Sequence, residues 1–164
     1  MLFDRLFTSL LVSLCLILAA CSDSSGNAAP DVTFNTLDGQ TISTQELRGK
    51  VVLVKFWATD CTTCVAQMPA TIDRYQALSS QGFETVAIAM KHDPESYVRN
   101  FTRSRQLPFP VVMDRDGSLA KAFGDVKMTP TTLLIDKKGR IIKRYLGNYD
   151  ETKLVSTINK ALTG

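Results

Sequence analysis

VVLVKFWATDCTTC, Val51 to Cys64, is the stretch on which the reading of this chain turns. Its first half is a nearly continuous apolar run, the pattern of a strand covered on both faces, since a half-exposed strand would alternate. Its second half sets two cysteines three positions apart. From Cys61 onward Val65, Met68, Ile72, Tyr75 and Leu78 recur at spacings of three and four, which predicts a helix. Pro69 removes one donor from that helix and crowds the preceding turn, so a kink is expected there. A buried strand thus runs into a C-x-x-C at a helix start. Such a pair alone is compatible with electron exchange, a metal site or a structural staple.

The N-terminus takes two of the four cysteines out of contention. Arg5 is followed by LFTSLLVSLCLILAACS, an apolar segment that ends in small residues and Cys21, the layout of an export signal. A membrane-crossing helix needs about 20 apolar residues, and the span from Leu6 to Ala20 falls short. Leu18-Ala19-Ala20-Cys21 resembles the bacterial lipobox, which implies cleavage before Cys21 and lipidation of its sulfur. Small side chains there admit the backbone to a peptidase, and the thiol supplies the nucleophile for acyl-glycerol attachment. Residues 1–20 are therefore assigned to a lipoprotein signal, 21–30 to the lipidated cysteine and a polar tether, and 31–164 to one globular domain. The expected location is the bacterial cell envelope, anchored in the lipid bilayer through the Cys21 acyl chains and facing the periplasm or other extracytoplasmic space.

The formal charge is +3, and Asp4 and Arg5 cancel within the signal. The mature chain is mildly basic with no polycationic block, so nucleic acid is not an expected partner. Once Cys15 leaves with the signal and Cys21 becomes a thioether, Cys61 and Cys64 are the remaining thiols. A structural zinc site takes four protein ligands, and the sole histidine, His92, cannot complete one with two cysteines, so no metal site is expected. Covalent haem attachment needs histidine directly after the second cysteine, where this chain has Val65. A staple closing so short a loop gains little entropic stabilisation. Redox exchange is the remaining chemistry. At a helix start, unpaired backbone N–H groups and the helix dipole favour thiolate over thiol. Cys61 is the expected attacker, and Cys64, one turn inside, the residue that resolves the mixed disulfide.

The rest of the chain supplies a layered α/β frame. DVTFNTLDGQTIS, Asp31 to Ser43, alternates around Asp38-Gly39 and predicts a hairpin. Ser43 and Glu46 have the spacing of a capping box for a helical turn ended by Gly49. FETVAIAM predicts a second buried strand, and Asp93-Pro94 a capped helix running to about Gln106. Arg99 and Arg103 share a face of it, either solvated or a docking patch for an acidic partner. FPVVMD predicts a third strand, Asp114 to Gly117 a turn, and Leu119 to Phe123 a short helix. Two further strands flank Asp136-Lys137-Lys138-Gly139, and Asp150 caps a last helix carrying Leu154, Ile158 and Leu162. The expected fold is a central mixed β-sheet flanked by helices, with an N-terminal hairpin extension.

VVLVKFWATDCTTC, together with MTPTTLLIDKKGRI at Met128 to Ile141 and the order of elements around them, resembles the thioredoxin superfamily, specifically the TlpA/ResA-like thiol-disulfide oxidoreductases exported by bacteria. The likeness covers about Pro30 to Leu162. It implies a thioredoxin-like fold and a cis bond before Pro130, close to the cysteines, which would turn the Thr129 backbone toward an extended substrate strand. It also implies that Trp57 packs beside the disulfide. The implied activity is reduction of disulfides in exported proteins, apocytochrome c among the candidates, with recharging by a membrane thiol electron donor. No cofactor beyond the Cys61–Cys64 disulfide is implied.

Three residues depart from that pattern. Relatives usually carry Trp directly before the first cysteine; here it is Asp60, whose charge opposes a Cys61 thiolate. Many place Glu three residues after the second cysteine, where it can shuttle a proton; here it is Gln67. Thioredoxin has a buried acid where this chain has Lys55. Lys55 is expected to pair with Asp60, to favour a Cys64 thiolate, or to reach the surface along its stem. Two other functions fit the cysteines less well. A thioredoxin-fold copper-binding chaperone would use Cys61, Cys64 and His92, and a peroxiredoxin-like peroxidase would need threonine where Ala58 stands.

Overall fold

The computed structural model describes residues 28–164, so the signal, Cys21 and most of the tether lie outside the described residues. A five-stranded mixed sheet has the order β5-β4-β3-β6-β7. Its strands are β3 (Val51–Trp57), β4 (Phe83–Ala89), β5 (Val111–Met113), β6 (Thr131–Ile135) and β7 (Ile141–Leu146). β3, β4 and β5 are parallel, β6 runs antiparallel to β3, and β7 runs antiparallel to β6 at the sheet edge. Every residue of β3 is buried, as its apolar run requires of a central strand.

Alternation along β3 sorts the core into two layers. Val52, Val54 and Phe56 face Phe34, Leu47, Leu119 and Phe123. Those residues come from the N-terminal hairpin β1 (Thr33–Asn35) and β2 (Thr41–Ser43), the turn after it, and the short helix α3 (Ser118–Ala122) with its C-terminal cap. On the opposite face, Val51 and Leu53 meet Leu154 and Ile158 of α4 (Glu151–Thr163). Trp57 there shares a cluster with Cys64 and Met68 of α1 (Thr62–Leu78) and Val98 of α2 (Glu95–Ser104). Among the described residues no helix is long and apolar enough to cross a membrane.

The hairpin turns at Gly39, whose φ of +88° lies in the region an L side chain resists. Ser43 and Glu46 form the capping box reciprocally, with Ser43 N–H donating to Glu46 Oε2 at 2.6 Å and Glu46 N–H to Ser43 Oγ at 3.2 Å. The segment they open is a series of turns, not a helix. α1 runs through Pro69 without a break. Its fully buried positions are Cys64, Met68, Thr71 and Arg74, so the helix is rotated relative to the apolar stripe that starts at Val65. Arg74 can be buried because its guanidinium pairs with Glu151 at the start of α4.

Two boundaries differ from expectation. Ala28 and Ala29, assigned to the tether, already belong to the fold: Ala28 bridges to Arg140, and Ala29 N–H donates to Gly139 O at 2.9 Å. Ala29 is apolar and packs against the hairpin-side core. Asp93 does not cap α2, whose N-cap is Pro94 with no side-chain bond. Asp93 turns instead toward the loop that precedes Cys61.

Candidate active site

The parallel strands β3 and β4 end on the same edge of the sheet, where open α/β sheets commonly bind ligands. Trp57 closes β3, three loop residues follow, and Cys61 occupies the N-cap of α1 in extended conformation. Its Sγ accepts a hydrogen bond at 3.2 Å from the Cys64 N–H. The sulfur thus takes the place of a capping oxygen, facing donors that lack helical partners. No acidic residue lies in the first turn of α1 to oppose it. Cys61 and Cys64 are joined as a disulfide with a Cα–Cα distance of 5.2 Å. Cys64 is fully buried and Cys61 only partly, so the two sulfurs differ in access.

Two side chains from the β4–α2 loop frame the approach to Cys61. The buried Asp93 accepts from Thr59 N–H at 2.5 Å and Thr59 Oγ1 at 2.6 Å, tying the loop before the cysteine to the end of β4. Nothing in the sequence around Asp93-Pro94 distinguished this from a helix cap. Asp60 is 74% exposed and lies 3.7 Å from His92 Nε2. It faces solvent and histidine, not Lys55 as one expectation had it. Among the described residues no three His, Cys, Asp or Glu side chains come together as a metal-ligand set.

β6 supplies the other wall. Phe56 pairs with Thr131, and one further step in that register puts Pro130 opposite Trp57. The Thr129–Pro130 bond is cis, and Pro130 is buried while Met128, two residues before it, is 60% exposed. Pro130 O accepts from Gly147 N–H, which links this loop to the end of β7. Trp57 lies in the cluster that includes both cysteines, its ring centroid 5.1 Å from that of Phe101.

Lys55 is the outstanding departure. It is completely buried, because its β3 position points under α1 and leaves no route along which its stem could reach solvent. Its Nζ donates to Gln67 Oε1 at 2.6 Å and lies 5.5 Å from the centre of the Tyr149 ring. The Gln67 amide is held at its other end, with Nε2 donating to Gly147 O at 3.3 Å and Asn148 Oδ1 at 3.4 Å. Burial, reinforced by the nearby Arg74 guanidinium and opposed by Glu151, lowers the Lys55 pKa to about 7. The family resemblance singled out Lys55 and Gln67 separately, as departures from its pattern; their contact depends on the pitch of α1 over β3.

The fold and the paired sulfurs define a thioredoxin-like thiol-disulfide exchange protein, and comparison with known proteins places it more closely. The family model described as Redoxin matches residues 24–162. The thiol-disulfide oxidoreductase ResA of Bacillus subtilis is 34% identical over 138 residues, covering 84% of this chain and 76% of that one. A putative thioredoxin from Neisseria meningitidis superposes with a TM-score of 0.79 at 37% identity, covering 84% of this chain and 91% of that one. The pneumococcal exposed lipoprotein thioredoxin Etrx1 of Streptococcus pneumoniae does so at 0.70 and 25% identity, covering 79% and 98%. The chain belongs to the redoxin family as a ResA-like thiol-disulfide oxidoreductase.

Proposed function

We propose that this enzyme is held at the outer side of a bacterial membrane through a lipidated Cys21 and reduces disulfides in exported proteins. The observation that carries the reading is the position of Cys61 Sγ as the cap of α1, bonded to the N–H and the sulfur of a buried partner. In the reduced enzyme the same N–H and helix dipole favour a Cys61 thiolate. That thiolate attacks one sulfur of a substrate disulfide and expels the other; Cys64 then attacks Cys61 Sγ and releases the reduced substrate. Two electrons pass from the dithiol to the substrate, and no cofactor takes part.

Substrates are extended segments, whose backbone pairs with Thr129 beside Pro130. Trp57 backs the disulfide, and the exposed Met128 offers an apolar contact at the rim. Apocytochrome c is the candidate carried by the likeness to the TlpA/ResA group, and a membrane thiol protein returns the electrons. The export reading draws on Leu18 to Cys21 and on the likeness to Etrx1, an exposed lipoprotein. Equilibration of the Cys61–Cys64 pair with glutathione tests the direction. A potential well below that of the compartment supports a reductant, whereas one above it makes the protein an oxidase.

A further inference from the structure

We propose that the Lys55 amine stores the proton of Cys64, replacing the carboxylate that would otherwise serve the buried sulfur, and that Gln67 positions the amine for this. The inference rests on the dithiol exchange described above and concerns its second step.

Lys55 and Trp57 project from the same face of β3, and Trp57 shares its cluster with Cys64. Gln67, the direct partner of Lys55 Nζ, stands three residues after Cys64 on α1. Side chains at that spacing are neighbours, with Cβ atoms about 5–6 Å apart. This register sets the amine against the stretch of α1 that carries the buried sulfur, and in the proposed transfer one water molecule carries the proton between them. Because Gly147 O and Asn148 Oδ1 engage the amide nitrogen of Gln67, its oxygen faces Lys55 and accepts one amine hydrogen.

Among the described residues no carboxylate is in place to do this work. Glu151 is paired with Arg74, Asp93 with Thr59, and Asp60 points to solvent beside His92. The charges that act on Lys55 are those of Arg74 from α1 and Glu151 from α4, and the Tyr149 ring, from the segment after β7, lies beside it; Cys64 stands one turn before its partner Gln67 on α1. Its strand neighbours Ala87 and Thr132 are uncharged. An ammonium buried near Arg74, with Glu151 as the nearby carboxylate, is poorly compensated until an anion forms beside it, and a Cys64 thiolate is that anion. Moving the proton from sulfur to nitrogen leaves the net charge of the pair unchanged. The amine exchanges protons near neutral pH, as the transfer requires.

The resolving step then balances. With substrate sulfur bonded to Cys61, the Cys64 S–H proton passes to the Lys55 amine. The Cys64 thiolate attacks Cys61 Sγ, the Cys61–Cys64 bond forms as the Cys61–substrate bond breaks, and the departing substrate thiolate takes up the proton that the ammonium releases.

The test uses the full chain with Cys15→Ser, Cys21→Ser and Cys61→Ser, leaving Cys64 as its single thiol. Its thiolate is followed by ultraviolet absorbance against pH, with and without Lys55→Met. The expected result is a midpoint at least about one pH unit higher in the methionine variant, or about tenfold less thiolate near neutral pH. Gln67→Leu, which leaves the amine unanchored, moves the midpoint in the same direction. With both site cysteines present, Lys55→Met slows release of a peptide from its mixed disulfide with Cys61 about tenfold near neutral pH. The loss is recovered as pH rises, and the first attack keeps its rate. The methionine variant is expected to fold, since replacing a buried charge by an apolar chain of similar size is often neutral or stabilising. Identical midpoints and pH profiles with lysine and methionine would overturn the proposal, as would a uniform slowing of both steps with no change of midpoint. If the unmodified protein exchanges with no disulfide at all, the reductase reading fails, while the Cys64 titration still reports on Lys55.

Discussion

Asp60 places a carboxylate directly before the accessible sulfur, where its charge opposes the helix dipole. Because it is largely exposed and shares its field with His92, solvent screening keeps the effect small. Asp60→Asn is expected to raise the rate of Cys61 alkylation near neutral pH about twofold at low salt, with the gain shrinking as salt is added; an unchanged rate would show that the carboxylate is fully screened. Asp93 is a different case, a buried carboxylate with two donors from Thr59. Asp93→Ala leaves the Thr59 N–H and hydroxyl without their acceptor and should cost about 2 kcal/mol in urea unfolding. At this scale the cysteines were legible because their chemistry is written in their spacing. Asp93 was not, since an aspartate before proline at a helix start carries the same local signal whether it caps that helix or reaches across to another loop.

At the scale of elements, β3 and α1 together make the site, and Lys55 lies at their contact. Its folded pKa of about 7 is below its ordinary value of 10.5. Between those values an unfolded chain holds a proton that the folded chain lacks. Unfolding then takes up a proton, and stability rises with pH by up to about 1.4 kcal/mol per unit. Below pH 7 both states are protonated and the contribution levels off at its least favourable value. Oxidised protein should therefore gain stability from pH 7 to 9 in denaturant titrations, and Lys55→Met should remove most of that slope; equal slopes would show that Lys55 stays charged in the fold. The central strands could be read from their apolar runs, the hairpins from their turn residues and the last helix from its periodicity. The rotation of α1 could not, because its buried face includes two polar residues: Thr71, whose hydroxyl donates to Gln67 O, and Arg74, which pairs with Glu151, 77 residues further along the chain.

For the molecule as a whole, the sheet brings four segments to one edge: the end of β3, the start of α1, the loop after β4 and the cis-proline loop before β6. The order of the strands and the resemblance of two motifs made this convergence legible, while the contacts inside it required the packed structure. Its consequence is a division of labour, with the exposed sulfur meeting the substrate and the buried one closing the cycle. Trapping measures this most directly. The full chain with Cys15→Ser, Cys21→Ser and Cys64→Ser, incubated with a disulfide-linked peptide, is predicted to accumulate a covalent adduct on Cys61 that a small thiol reductant cleaves. The companion carrying Cys61→Ser in place of Cys64→Ser should accumulate little or none. A folded Cys64→Ser protein that forms no adduct, or adducts that collect on Cys64 instead, would contradict the account.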